Sequence, residues 1–193
     1  MASPTKTAIV WLRRDLRLHD NPALSAAAAE HDLVVPAFIL DPRLLRGRFP
    51  SPARAAFLHG CLRELARGIR ERGGGLVLRQ GQPWLELPRL AREAHASSVH
   101  WADDVSPYAR ERDRRVHAAL GAAGVAAVVH PAGNFIADVG RIETTQGRPY
   151  RVFTPFYRTW LSAPRRGVVG VPETLCVPAR VARGRLPARA ALG

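Results

Sequence analysis

The chain has 193 residues, enough for one domain with a sizeable core plus a tail and too few for two large domains. Its 47% hydrophobic and 23% charged residues exclude a disordered chain, and neither a signal-like N-terminus nor an uncharged run of membrane-spanning length is present, so no membrane partner and a cytoplasmic location are expected. The net charge of +13 is almost all arginine, with Lys6 the only lysine in a chain also rich in alanine, a bias that G- and C-rich coding DNA produces by itself, so it points only weakly to anionic partners.

The predicted elements alternate. "TAIVWL" (7–12) is a short β-branched strand, and "NPALSAAAAEH" (21–31) a helix with Asn21 as N-cap and Pro22 at the first helical position. "LVVPAFIL" (33–40) reads as a second buried strand, followed by a long helix over 51–74, capped by Ser51, opened by Pro52 and ended by glycines 73–75. A third strand (76–81), a helix over 83–95 in which Pro88 is a point of shortening or kinking, a fourth strand (97–104), a capped helix (106–124) and a fifth strand (125–130) complete the rhythm. Strands separated by helices of this length pair in parallel through right-handed crossovers. The expected fold is therefore a doubly wound, five-stranded, parallel α/β sheet of Rossmann-like type with helices on both faces.

Beyond it the rhythm breaks. The α/β domain is expected over 5–135 and a crossing segment with a short helix, near Thr154 and Pro155, over 136–163. Residues 164–193, with prolines at 164, 172, 178 and 187, read as an interdomain linker. Cys61 and Cys176 lie far apart in different kinds of segment and are expected as reduced thiols, neither disulfide nor metal ligands.

In an open parallel sheet, ligands bind beyond the carboxyl ends of the strands. Those ends are "WLRRDLR", "ILDP", "RQGQPW", "WADDVSPY" and "VHPAGN". Acidic residues beside aromatic or basic ones suit a planar, hydrogen-bonding ligand. No glycine fingerprint follows the first strand, which argues against dinucleotide-dehydrogenase and P-loop chemistry. No serine elbow or paired metal-binding histidines appear, and His19, His59 and His117 read as surface or packing residues. No catalytic or metal-ligating residue is expected.

Three segments in order, "IVWLRRDLRLHDNPAL", "WADDVSPYARERDRRV" and "GRPYRVFTPFYRTWL", resemble the N-terminal α/β domain of the DNA photolyase and cryptochrome family. The resemblance covers about residues 7–163, and "GRLPARAALG" is similar to the linker that leads into the family's second domain. It implies an antenna chromophore on the α/β domain, with FAD and pyrimidine-dimer repair belonging to a helical domain that also carries the main DNA surface. That helical domain is missing from the sequence, so the chain reads as an antenna-half fragment without lyase activity of its own. Its expected partners are the helical FAD domain and, through it, damaged DNA.

For the antenna pocket the expected residues are Phe38, Asp41, Arg54, Asp103, Asp104, Tyr108 and Arg110. A flavin or deazaflavin edge presents N–H donors and carbonyl acceptors that a carboxylate and an arginine satisfy, while an aromatic covers the ring face. "SPY" after two aspartates resembles members that use 8-hydroxy-deazaflavin or FMN more than those that use a folate. The plainer reading of "DDVSPYARERD" is acids at a helix N-terminus with solvated i to i+4 pairs. In the first loop, Leu12, Leu16 and Leu18 are expected to anchor the chain. Arg13, Arg14, Asp15, Arg17, His19 and Asp20 form ion pairs, and Asp20 or Asn21 caps the next helix; the other reading is that Arg14, Asp15, Arg17, His19, Asp20 and Asn21 dock the partner domain. Phe153, Phe156, Tyr157 and Trp160 are expected to pack on the sheet. Alternatives are a free-standing nucleotide-binding or electron-transfer module, a cryptochrome-type photoreceptor fragment, or a structural remnant without ligand.

Overall fold

The computed structural model describes residues 5–45 and 51–192. Five strands, β1 (Thr7–Leu12), β2 (Leu33–Leu40), β3 (Val77–Gln80), β4 (Ser98–Ala102) and β5 (Ala126–His130), form one sheet in the order β3-β2-β1-β4-β5, every pair parallel. Helices α1 (Pro22–Glu30) and α3 (Pro52–Arg70) cover one face, α4 (Pro83–Ala94) and α5 (Pro107–Ala122) the other. The doubly wound expectation holds. A further short helix, α2 (Pro42–Leu45), follows β2, and α4 runs through Pro88 unbroken.

The pleat sorts the core. Ala8, Val10 and Leu12 of β1 pack with Leu24 of α1 and Leu62, Leu65 and Ile69 of α3. Ile9 and Trp11 face the other way, with Val99 and Trp101 of β4, Leu87 and Leu90 of α4 and Val116 and Leu120 of α5. Burial on both faces explains why the central strands read as unbroken apolar runs. Each main helix starts on a proline, and Asn21, Ser51 and Ser106 cap α1, α3 and α5 by accepting from Leu24, Arg54 and Ala109 N–H groups. One polar row interrupts this: Ser98 and His100 of β4 and His130 of β5 lie in hydrogen-bonded contact with His31 at the end of α1. Burial, with His130 and His31 beside it, pushes His100 down to about 4, so it is neutral at ordinary pH.

The stretch from 164 onward is irregular, and it is docked on the sheet. Leu175, Val181 and Leu192 are buried, the Val34 N–H donates to the Cys176 carbonyl (2.8 Å), and the Leu78 N–H of β3 donates to the Arg183 carbonyl (2.7 Å). The strap thus covers the edge strand β3, whose backbone groups would otherwise stand open. Gly184 has φ +72°, and a Cβ there would collide with the Leu78 carbonyl oxygen, so only glycine permits the close approach. Cys61 and Cys176 are both free thiols.

Helix α6 (Phe153–Ser162) corrects one expectation. Its aromatic residues do not pack on the sheet: no residue of α6 is buried, and Phe153 is 71% exposed. Both sheet faces are already filled by α1, α3, α4 and α5, so no apolar sheet surface remains for it. The rings stack on each other instead, Phe153 on Tyr157 at 5.7 Å and Tyr157 on Trp160 at 5.9 Å, with Arg165 over Trp160. Among the described residues no helix is long and apolar enough to cross a membrane.

Candidate functional site

The chain turns one way from β1 to β2 and β3, then crosses to β4 and β5 on the other side of β1, so the strand order reverses between β1 and β4. A crevice opens beyond their carboxyl ends. Arg13, the first residue after β1, spans it: Nη1 donates to both oxygens of Asp113 on α5 (2.7 and 2.8 Å) and Nη2 to the carbonyl of Ala102 at the end of β4. Burial lowers the Arg13 pKa, opposed by the charge of Asp113. It is the clamp of the switch point.

Beside this clamp lies a cavity of about 220 Å³, lined by Trp11, Phe38, Asp41, Asp104, Tyr108 and Arg112 among others. Trp11 sits edge-on to Trp101 (5.8 Å) and lies under the guanidinium groups of Arg13 (4.6 Å) and Arg112 (4.8 Å). Asp41 is buried and accepts from the Tyr108 hydroxyl and from the Arg43 N–H (3.0 Å). Burial, with the Asp41 carboxylate adjacent, pushes the Tyr108 phenol up to about 12. Its proton is thus committed to Asp41, and the Arg112 guanidinium lies over its ring at 5.7 Å. Burial opposes ionisation of Asp104, but the Ser106 N–H and hydroxyl, with Arg14 and Arg13, hold it below the usual carboxylate range. Asp104 is therefore a charged acceptor at the cavity wall.

Two buried side-chain nitrogens, Trp101 Nε1 and Arg112 Nη2, make no hydrogen bond among the described residues. The Arg112 side chain is only 7% exposed, its Nε donates to Asp113, and its Nη2 is ion-paired with the same carboxylate at 2.9 Å, with no hydrogen bond of its own among the described residues. Buried polar groups rarely stay orphaned. The Asp113 carboxylate takes up the Arg112 charge, and the side chain forms part of the cavity wall.

Of the seven residues expected for the pocket, Phe38, Asp41, Asp104 and Tyr108 meet in this cavity. Arg54 lines a neighbouring cleft of about 610 Å³ that shares Arg13, Arg14 and Leu44 with it. Asp103 and Arg110 face a third, more open cleft beside Trp101 and His117, where burial and the nearby Asp138 raise the Asp103 pKa. Sequence reasoning missed Trp11 and Arg112 as lining residues. The position of Trp11 at the very end of β1 was a usable signal; Arg112 was hidden among the near-identical arginines of "ARERDRR".

The first loop is internally satisfied at most positions. Asp15, 2% exposed, accepts from the Arg13 N–H (2.9 Å) and from the Asn21 Nδ2 (3.4 Å). Arg17 donates to the carbonyls of Asp20 and Gly133, and Asp20 pairs with Arg166 of the strap (Nη2 to Oδ2, 2.9 Å). Asn21, not Asp20, is the cap; Asp20 takes the left-handed conformation before it, with φ +52°. Arg14 and His19 are exposed, with Arg14 only 3.6 Å from Asp104.

A five-stranded sheet of this order, with an aromatic and charged crevice at its switch point, defines a doubly wound α/β domain. The family model for DNA photolyase matches residues 8–178, and the chain belongs to that family. It is 42% identical over 183 residues to the deoxyribodipyrimidine photo-lyase of Streptomyces griseus, covering 94% of this chain and 40% of that protein. It is 43% identical over 164 residues to an uncharacterized 31.6 kDa protein of a Synechococcus strain, covering 85% of this chain and 57% of that one. A crystal structure of a class III photolyase from Agrobacterium tumefaciens matches with a TM-score of 0.81 at 27% identity, over 99% of this chain and 39% of that one. The chain therefore spans between 39% and 57% of the length of these relatives.

Proposed function

We propose that this chain is the light-harvesting part of a DNA photolyase, and that the cavity beyond β1, β2 and β4 holds a planar antenna chromophore, 8-hydroxy-deazaflavin or FMN rather than a folate. The observation that carries the reading is the cavity at the switch point, which brings the aromatic rings of Trp11, Phe38 and Tyr108 together with the ionised Asp104 and the cationic Arg112. Arg112 would donate to a ring carbonyl, Asp104 would accept a ring N–H, and Phe38 and Tyr108 would flank the ring, with Asp41 holding the Tyr108 hydroxyl. The first cavity is small beside pockets of ~300–1,000 Å³ that take whole ligands. The adjoining cleft with Arg54 would take the polar chain attached to the ring. Once bound, the chromophore absorbs light and passes excitation energy to a flavin.

In this reading FAD, pyrimidine-dimer repair and contact with damaged DNA belong to a helical domain, with Arg14 and His19 turned towards it, and the protein works in the cytoplasm. The test is to add FMN or a deazaflavin to the purified chain and follow absorption and fluorescence. A bound band is expected that weakens at least tenfold in affinity in Asp104→Asn and Arg112→Ala. Arg110→Ala, in the other cleft, should leave it unchanged. A folded chain that binds neither ring would overturn the proposal, and binding of adenine nucleotides in their place would favour a nucleotide-binding module.

A further inference from the structure

We infer that the histidine cluster at the amino-terminal side of β4, on the α1 face, is a binding site for a zinc-class divalent cation. Its ligands are Glu30, His31 and His100, whose candidate ligand atoms all lie within 4.8 Å of one another. Glu30 is the last residue of α1, His31 follows it directly, and His100 is on the sheet surface beneath, 1% exposed. None of these residues takes part in the chromophore cavity.

The geometry selects which ring nitrogens face a metal. His31 Nδ1 lies 3.2 Å from the Ala27 carbonyl, which can only accept, so Nδ1 carries the proton and Nε2 presents a lone pair. His31 Nε2 and His100 Nε2 both converge on the Ser98 hydroxyl, each at 3.0 Å. That hydroxyl has one proton and can donate to only one of them. On its far side His100 Nδ1 faces His130 Nε2 at 3.1 Å, so His100 can donate there and free its own Nε2. Two imidazoles thus converge, each with its other nitrogen held by a backbone carbonyl or a second histidine. This is the outer arrangement that fixes ring orientation in metal sites.

Tetrahedral ligands at zinc distances stand ~3.3 Å apart. The cluster is within reach of that spacing because Glu30 is exposed and free to swing inward. Two imidazoles and one carboxylate suit Zn²⁺, Co²⁺, Ni²⁺ or Cu²⁺ and not Mg²⁺ or Ca²⁺, which take oxygen ligands. A water would complete the four positions. Bound there, the ion would tie the end of α1 to the middle of the sheet.

The experiment uses the untagged chain titrated with Co²⁺ and, separately, Zn²⁺. Expected are visible d–d bands of four-coordinate cobalt at one equivalent, without the thiolate charge-transfer band that Cys61 or Cys176 would give, and a rise in melting temperature with zinc. His31→Ala and Glu30→Gln, both at the partly exposed end of α1 and checked for folding by circular dichroism, should each lower affinity at least 100-fold. His130→Ala, which removes only the outer partner, should lower it about 10–100-fold. Cobalt that stays six-coordinate with no zinc-dependent shift, or binding undiminished in His31→Ala and Glu30→Gln, would overturn the site and leave a closed histidine–serine hydrogen-bond chain.

Discussion

The loop after β1 and the helix α6 invert what their compositions suggest. Residues Arg13–Asn21 hold three arginines in their first five positions, two aspartates and a histidine, yet Arg13, Asp15, Arg17, Asp20 and Asn21 all find partners inside this domain. Helix α6 is rich in aromatic residues, yet none of its residues is buried. Charge does not mean surface, nor aromatic content core: what decides is whether partners of matching geometry lie within reach. The loop crosses the switch point, where strand ends and α5 surround it. The helix follows the last strand, after the sheet faces have been filled.

The largest expected effect tests the loop. Asp15→Ala would strip acceptors from the buried Arg13 N–H and Asn21 amide and should cost about 3 kcal/mol in urea denaturation. A loss under about 0.5 kcal/mol would mean that the loop is an exposed docking surface after all. Asn21→Ala removes the α1 cap and should cost about 1–2 kcal/mol. Because Asn21 donates to Asp15, the double variant should lose less than the two single losses together.

The link between loop and strap gives a smaller effect with a defined pH window. The Arg166 hydrogen bond, outweighing partial burial, holds Asp20 down at about 2, below its ordinary 3.8. The folded-state pKa is depressed, so this contribution is fully present above about 4 and is lost as pH falls through about 2, the unfolded chain taking up the proton first. Asp20→Asn should flatten that part of the stability–pH curve, measured by denaturation from pH 5 to pH 2; an unchanged slope would show the pair to be idle. The smallest effect belongs to α6. Phe153→Ser with Tyr157→Ser should change stability by no more than about 0.5 kcal/mol in urea denaturation. A loss of about 2 kcal/mol or more would place these rings in a core.

The β-α rhythm was legible because strand runs, proline starts and serine or asparagine caps all mark the same boundaries. Phe38, Asp41, Asp104 and Tyr108 were legible because strand ends are where such sheets bind ligands. Arg112 was not, since its neighbours Arg110, Arg114 and Arg115 look the same in sequence and only the rotation of α5 against the sheet turns one of them inward. The docking of residues 164–192 was hidden for a related reason: Leu175, Val181 and Leu192 follow no period, because an irregular strap buries side chains wherever the surface offers a hollow.

What the sequence determined by itself is the order and kind of the elements, the parallel sheet they must make, and the family, since periodicity, capping and ordered motifs are local or linear properties. Which charges are partnered, which aromatics stay outside, and how Trp11, Asp104 and Arg112 come to line one cavity and Glu30, His31 and His100 to form one cluster were decided only by the tertiary structure. Those outcomes depend on surfaces that exist only after the sheet has twisted and its faces have been occupied, and no spacing along one chain records how much of that surface is left.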